Sequence, residues 1–223
     1  EMTTGLVPPL RFVAYELITC LIGPLPGAMG YFLRKFFFPP LFRSVGKGVI
    51  FGRNLTIRHP GNIVLGDRVV IDDFAVIDGR GATDTPLVIG SDTIIGRQAV
   101  VQCKVGAIAI GSNCNIGAGT VLTSQGGIRV GQWVQIAGGC KISGGLFKPK
   151  PEGGGGDEFP FQRFSKGPIV IEDMCFIGGA VQITDGVTVG RGSMIGAGSV
   201  VMTNIPEKSI FLPKPGMIVG KTG

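Results

Sequence analysis

"IEDMCFIGGAVQITDGVTVGRGSMIGAGSVV", residues 171–201, returns an aliphatic residue every six positions: Ile171, Ile177, Ile183, Val189, Ile195 and Val201. A period of six is neither the strand period of two nor the helical 3.6. It suits a short strand followed by a turn, with one aliphatic side chain per unit pointing inward. Three such units close a triangular coil. Stacked coils bury a continuous aliphatic core and pair their backbone groups with the coils above and below.

Working outward, the same pattern places coil starts at Leu65, Ile89, Ile110, Val130, Ile171 and Val189, with a weaker start at Phe51. Roughly twenty hexads agree, so the repeat is the strongest signal in the chain. Measured against an 18-residue coil, the excess is 6, 3, 2, 23 and 0 residues, and each excess follows the third unit. All insertions therefore emerge from one edge of the prism. The largest lies within "ISGGLFKPKPEGGGGDEFPFQRFSKGPIVI", residues 142–171. Its four glycines read as a flexible hinge. Phe159, Phe161 and Phe164 are spaced to dock on a neighbouring subunit or an acceptor. Lys148, Lys150, Arg163 and Lys166 give it a positive rim suited to phosphate or acidic sugar.

With 223 residues, 44% hydrophobic, 16% charged and 39 glycines, the chain is long enough for one ordered domain that turns often. A net charge of +6 is a weak guide to partners. A nucleic-acid binder is disfavoured, because the aromatics do not line a basic strand face and no P-loop is present. The five cysteines are odd in number and lack a C-x-x-C pairing, against both a disulfide framework and a zinc site. Cys114, Cys140 and Cys175 recur at one position of the repeat where small residues are wanted, and read as core filler in a reducing compartment.

The hexads, the run GPIVIEDMCFIGGAVQITDGVTVGRGSMIGAGSVV and the exit IPEKSIFLPKPG carry a resemblance to the hexapeptide-repeat acyltransferases, of the xenobiotic and sugar O-acetyltransferase kind. The resemblance implies an all-β fold, a left-handed parallel β-helix over residues 46–205, with a protruding loop at 144–168 and an exit segment at 206–223. The left hand comes from the resemblance alone, since the general preference for right-handed crossovers points the other way. It also implies a homotrimer that binds acetyl-CoA, or another acyl-CoA, between subunits and transfers the acyl group to a hydroxyl or amine of a sugar or lipid-linked acceptor. Gly178, Ala180, Gly196 and Ala197 then leave room for the pantetheine arm of the cofactor, although tight corners ask for small residues too. Met217 stands where the family often places a lysine near the nucleotide, and Lys214 is the candidate to replace it.

The family's base is a histidine, commonly in or beside the large loop, because acyl transfer needs a group titrating near neutrality. The one histidine here, His59, lies two residues after Ile57, on the loop's edge but four coils below its root, roughly 19 Å along the axis. It reads as a solvated or turn-bonded corner residue. Alternatively it meets an anionic headgroup together with Arg43, Lys47, Arg53 and Arg58. Inside the loop, Asp157 and Glu158 are the candidate acids; poor solvation would let one act as base, and otherwise they solubilise the excursion. A three-histidine metal site is excluded by the histidine count. A second function class stays open: a catalytically silent trimeric scaffold in a membrane-associated assembly.

Residues 1–45 are a different kind of sequence. "FVAYELITCLIGPLPGAMGYFL", residues 12–33, has Glu16 as its one charge. The length would span a bilayer as one helix, but the GPLPG break argues for two shorter helices. A re-entrant or interfacial segment over residues 10–43 results, with Arg34, Lys35 and three phenylalanines at headgroup level. Without a small-residue cleavage site, no cleaved signal peptide is expected. The alternatives are a cap on the open end of the helix or a docking segment for a partner protein. Basic flanking residues would keep the repeat on the cytoplasmic face of the cell membrane.

Overall fold

In the computed structural model, which describes residues 9–82, 85–149 and 161–213, the hexads form three all-parallel sheets of seven, eight and seven short strands. Each sheet takes every third strand of the repeat, so each is one face of a triangular solenoid. The coil starts from Leu65 onward fall where the period of six puts them, whereas the first coil begins at Val45 and Phe51 is its second unit. Val45, Leu65, Ile89, Ile110, Val130, Ile171 and Val189 pair in one unbroken register along the first face. Seven coils are complete, and an eighth begins with the Val189–Ile205 bridge and the strand Ile210–Phe211.

Inward residues stack one coil above the next. On the third face Ile57, Ile77, Val101, Leu122, Ile142, Ile183 and Val201 form such a ladder, and all are buried. At about 25 cal/mol per Å² of apolar area removed from water, this continuous ladder supplies the main driving force of the fold. Inside the first corner the repeat places Val69, Thr93, Cys114, Val134, Cys175 and Ser193, all buried. The polar members donate to carbonyls of the next coil: Thr93 to Gly111 at 2.8 Å, Cys114 to Gly131 at 3.1 Å and Ser193 to Pro206 at 2.7 Å. The expectation of core cysteines holds for Cys103, Cys114, Cys140 and Cys175, whereas Cys20 is exposed. Burial raises all four buried thiols above their ordinary pKa, Cys103 to about 11, so they stay protonated and inert at neutral pH.

Insertions leave the third corner, between the third and first faces, as the repeat requires. The largest begins after Lys141–Ser143 and ends before Ile169–Ile171. Its base is an antiparallel hairpin, Leu146–Pro149 against Phe161–Phe164, so the excursion leaves the solenoid as a two-stranded ribbon rather than as an unstructured loop.

The N-terminal segment folds as a helix, a break and a helix. Helix α1 spans Pro9–Leu17 and runs into a π turn at Ile18–Ile22; after the Gly-Pro break, α2 spans Gly27–Phe37. No helix among the described residues is long and apolar enough to cross a membrane. The pair covers the open end of the first coil. Phe38 and Phe42 pack on Phe51, with ring centroids 5.4 and 5.5 Å apart, and close the bottom of the core. Arg34, expected at headgroup level, is instead buried under α2. Its guanidinium donates to the carbonyls of Phe51 at 2.9 Å, Leu25 at 2.6 Å and Gly23 at 3.4 Å. Two segments meet there, the Gly23–Leu25 break and the Ile50–Phe51 strand, and a cation with several donors ties them together.

Candidate functional site

Four coils carry an unusual second corner, the turn between the second and third faces. Its three turn positions read Gly117-Ala118-Gly119, Ala137-Gly138-Gly139, Gly178-Gly179-Ala180 and Gly196-Ala197-Gly198 in coils four to seven. No side chain larger than a methyl group projects there. Smallness at the first position is a packing requirement: a Cβ on Gly178 would lie 2.6 Å from the Ala197 nitrogen, and one on Gly117 2.5 Å from backbone of coil five. The third position is left-handed, with φ of +67° at Gly119 and +56° at Ala180, which favours glycine and strains alanine.

The middle position is under neither constraint at Gly179, where a Cβ would make ordinary contact at 3.6 Å from the Gly138 carbonyl oxygen. Coils one to three fill that same position with Arg53, Asp73 and Arg97. The fold thus accepts long side chains there, and the upper coils nevertheless carry Ala118, Gly138, Gly179 and Ala197.

Coils four to seven also lack the corner carboxylates that cap backbone donors in coils one and two. In the lower coils the Arg53 N–H is capped by the Asp73 carboxylate and the Asp73 N–H by Asp72, each at 2.8 Å. The N–H groups of Ala118, Gly138, Gly179 and Ala197 meet no acceptor among the described residues, and all four residues stand at the surface. Successive coils are about 4.8 Å apart. The four donors therefore form a ladder roughly 14 Å long on a smooth corridor. At its upper end Leu212 and Pro213 fold over Gly196.

Across the third face from this corridor stands the root of the long insertion. Asp185, 5% exposed, braces it: one carboxylate oxygen accepts from Gly145 N–H at 2.9 Å and the Ser165 hydroxyl at 3.0 Å, and the other accepts from Lys166 N–H. Both strands leaving the solenoid are thereby tied to one side chain. Replacing Asp185 by alanine should release the root, because two backbone donors lose their acceptor at about 2–3 kcal/mol. Faster hydrogen exchange at Gly145 and Lys166, with the amides of coil three unchanged, is the expected result. Unchanged protection at both would refute the brace.

The sequence-derived candidates are dispersed. Gly178, Ala180, Gly196 and Ala197 do line the corridor, with Gly178 and Ala180 serving the turn geometry itself. Ala118 and Gly138, which extend it downward into coils four and five, are visible in sequence only once the corners are aligned and compared with Arg53, Asp73 and Arg97, one to four coils below. Asp157, Glu158 and Lys214 lie outside the described residues.

His59 does not join the corridor. Of the two corner readings, solvated or turn-bonded, it is the second: His59 is 8% exposed, in a left-handed turn, with Nδ1 3.4 Å from the Asp78 carboxylate. Asp78 is fully buried and also accepts from Arg80 N–H at 3.0 Å and Gln102 at 3.1 Å. This cluster holds the second-coil insertion, much as Asp185 holds the large one. It also removes His59 from the cationic set offered for headgroup contact. A separate depression of about 500 Å³ on the first face is walled by Ala109, Arg129, Val170, Glu172 and Arg191, and includes none of the candidate residues.

Known proteins share this architecture. The family described as "Bacterial transferase hexapeptide (six repeats)" matches residues 168–202, and "Hexapeptide repeat of succinyl-transferase" matches 86–124 and 108–147. The chain carries the hexapeptide repeat that these family models describe. Among curated hexapeptide-repeat relatives, the bifunctional protein GlmU of Desulfitobacterium hafniense (strain DSM 10664 / DCB-2) is 30% identical over 176 residues, 68% of this chain and 38% of that protein. A 2,3,4,5-tetrahydropyridine-2,6-dicarboxylate N-succinyltransferase of Methylobacterium sp. (strain 4-46) is 38% identical over 109 residues, 47% of this chain and 34% of that protein. The chain spans about two fifths or less of the length of these relatives. Two solved structures have the same fold. A mutant of AntD, an N-acyltransferase from Bacillus cereus in complex with dTDP-4-amino-4,6-dideoxyglucose and coenzyme A, aligns with TM-score 0.54 at 24% identity, over 78% of this chain and 81% of that one. The polySia-specific acetyltransferase NeuO aligns with TM-score 0.60 at 22% identity, over 78% and 79%.

Proposed function

We propose that this hexapeptide-repeat protein is a membrane-associated acyltransferase that moves an acetyl or other acyl group from acyl-CoA to a hydroxyl or amine of a sugar or lipid-linked acceptor. The corridor of unengaged amides on the second corner carries the proposal. An acyl-pantetheine arm is a narrow, extended chain with amide groups along it, so it needs a smooth channel and regularly spaced backbone partners. Ala118, Gly138, Gly179 and Ala197 offer both, at positions where the fold itself tolerates arginine. The coenzyme A in the AntD complex supports this choice of co-substrate.

The corridor and the loop root stand at opposite edges of the third face. A trimer fits that arrangement: the loop of one subunit would cross to the corridor of its neighbour and bring Asp157, Glu158 and its basic rim to the acyl end. Lys214, two residues beyond Leu212, would meet the nucleotide end. Titration calorimetry of the full chain with acetyl-CoA should show saturable binding. Absence of heat at millimolar ligand would leave the solenoid as a silent scaffold.

A further inference from the structure

The helical cap meets the protein through both apolar and polar contacts, Phe38, Ile18 and Ile22 on the core beside Arg34 and Tyr15, and it also turns a row of large apolar side chains to solvent. Towards the solenoid it is fastened by the Arg34 guanidinium, by the Tyr15 hydroxyl donating to the Ile57 carbonyl, and by Asn54 N–H donating to the Gly23 carbonyl at 3.0 Å. Burial, with Glu16 beside it, raises the Tyr15 pKa further, so the phenol stays a donor. On α2 the buried row is Gly30, Arg34 and Phe38, while Met29, Phe32 and Phe36 form the outward row at 64%, 55% and 70% exposure. Across α1 and the π turn, Val13, Leu17 and Leu21 continue the outward row four residues apart, at 50%, 54% and 63% exposure.

Charge around this face leans basic. Between residues 9 and 62 the sequence holds seven basic residues and one acid, Glu16. Lys35, Arg43 and Lys47 are exposed, while Arg53 is paired with Asp73 of the second coil at 3.4 Å. A large apolar patch rimmed by cations is what an interfacial helix offers to a bilayer with anionic headgroups.

From this exposed apolar row and the basic residues around it we infer that the outer face of the α1–α2 cap is a docking surface for an anionic lipid bilayer, into which Met29, Phe32, Phe36, Leu17 and Leu21 insert. The inference rests on the membrane-associated reading above and gives it a defined surface and orientation. The cap sits on the first-coil end, so docking stands the solenoid with its axis away from the bilayer. The root of the long loop is then four coil spacings, roughly 19 Å, above the first coil. The outward row inserts without any helix crossing the bilayer.

Flotation of the full chain with vesicles of phosphatidylcholine containing about 30% phosphatidylglycerol tests the surface. Wild type should float, and the triple variant Met29→Ser, Phe32→Ser, Phe36→Ser should lose roughly a hundredfold in binding. The variant's melting transition should stay in place, because the three side chains are already in water. Trp133→Ser removes a 60% exposed aromatic far from the cap and should bind like wild type. Lys35→Gln with Arg43→Gln should weaken binding to the anionic vesicles several-fold without weakening it to pure phosphatidylcholine. Wild type that binds neither vesicle, or a triple variant that binds as wild type does, overturns the inference. So does a triple variant whose mass in vesicle-free solution drops to a smaller oligomer, which would make the face a contact between copies. Acyl-CoA calorimetry on the same preparations separates the two readings. Vesicle binding without acyl-CoA binding sinks the acyltransferase alone, and the converse sinks the docking surface alone.

Discussion

Replacing Gly179 by leucine is expected to weaken acetyl-CoA binding roughly a hundredfold while leaving the melting temperature of the protein within a degree or so of wild type. The pairing of those two outcomes follows from where Gly179 sits. Its φ is not in the left-handed region, and a Cβ there meets only the Gly138 carbonyl oxygen at 3.6 Å, so the turn accepts a side chain. Coil three already carries Arg97 at the equivalent position. The leucine would nonetheless lie across the amide ladder and displace an extended ligand from two neighbouring donors. Two hydrogen bonds at about 1 kcal/mol each, with the loss of the contacts between them, give about 2–3 kcal/mol. Calorimetric titration beside thermal unfolding checks both halves. A destabilised variant would mean that the middle position is a packing site, and unimpaired binding would remove the corridor from the cofactor's path. Gly178 offers the contrast: valine there collides with coil seven and should damage the fold first.

Arg34→Met should detach the helical cap. Methionine keeps much of the aliphatic stem but leaves the carbonyls of Phe51 and Leu25 without a donor in a buried setting. Hydrogen bonds from a charged group are worth about 1.5–3 kcal/mol each. Burial lowers the Arg34 pKa, which reports the desolvation its partners offset, and the guanidinium stays protonated at any ordinary pH. A loss of about 3 kcal/mol at the first-coil end is expected. Because repeat solenoids are held by neighbour contacts, the loss should appear as early melting of helical circular dichroism, ahead of the β signal. Simultaneous loss of both signals at an unchanged temperature would show that the cap is held by its phenylalanines alone.

The period of six in the sequence was enough to place every coil, because each unit contributes one inward aliphatic and a slip by one residue would expose all of them. Ile57, Ile77 and Ile183 could sit nowhere but inside. The edge carrying the insertions followed from the same count. The corridor was only half legible. Gly178 and Ala180 are small for reasons of turn geometry, as the sequence allowed, whereas Ala118 and Gly138 acquire meaning only beside Arg53, Asp73 and Arg97 one to four coils below. Residues twenty positions apart become neighbours at about 4.8 Å, and no local pattern announces that comparison.

Other features were decided by tertiary structure. His59 was a corner residue by count, and its burial against Asp78, nineteen positions on and on a strand of the next coil, is a fact of the tertiary structure. Asp185 looked like one acid among fifteen until the two ends of the long insertion met on its carboxylate. The N-terminal segment shows the division most clearly. Its apolar composition and Gly-Pro break determined two short helices, because proline removes a backbone donor and cannot continue a helix. Which face each helix turns inward goes with the Phe51 and Ile57 carbonyls at the first-coil end of the solenoid, which take Arg34 and Tyr15 on the inner side and leave Met29, Phe32 and Phe36 outside.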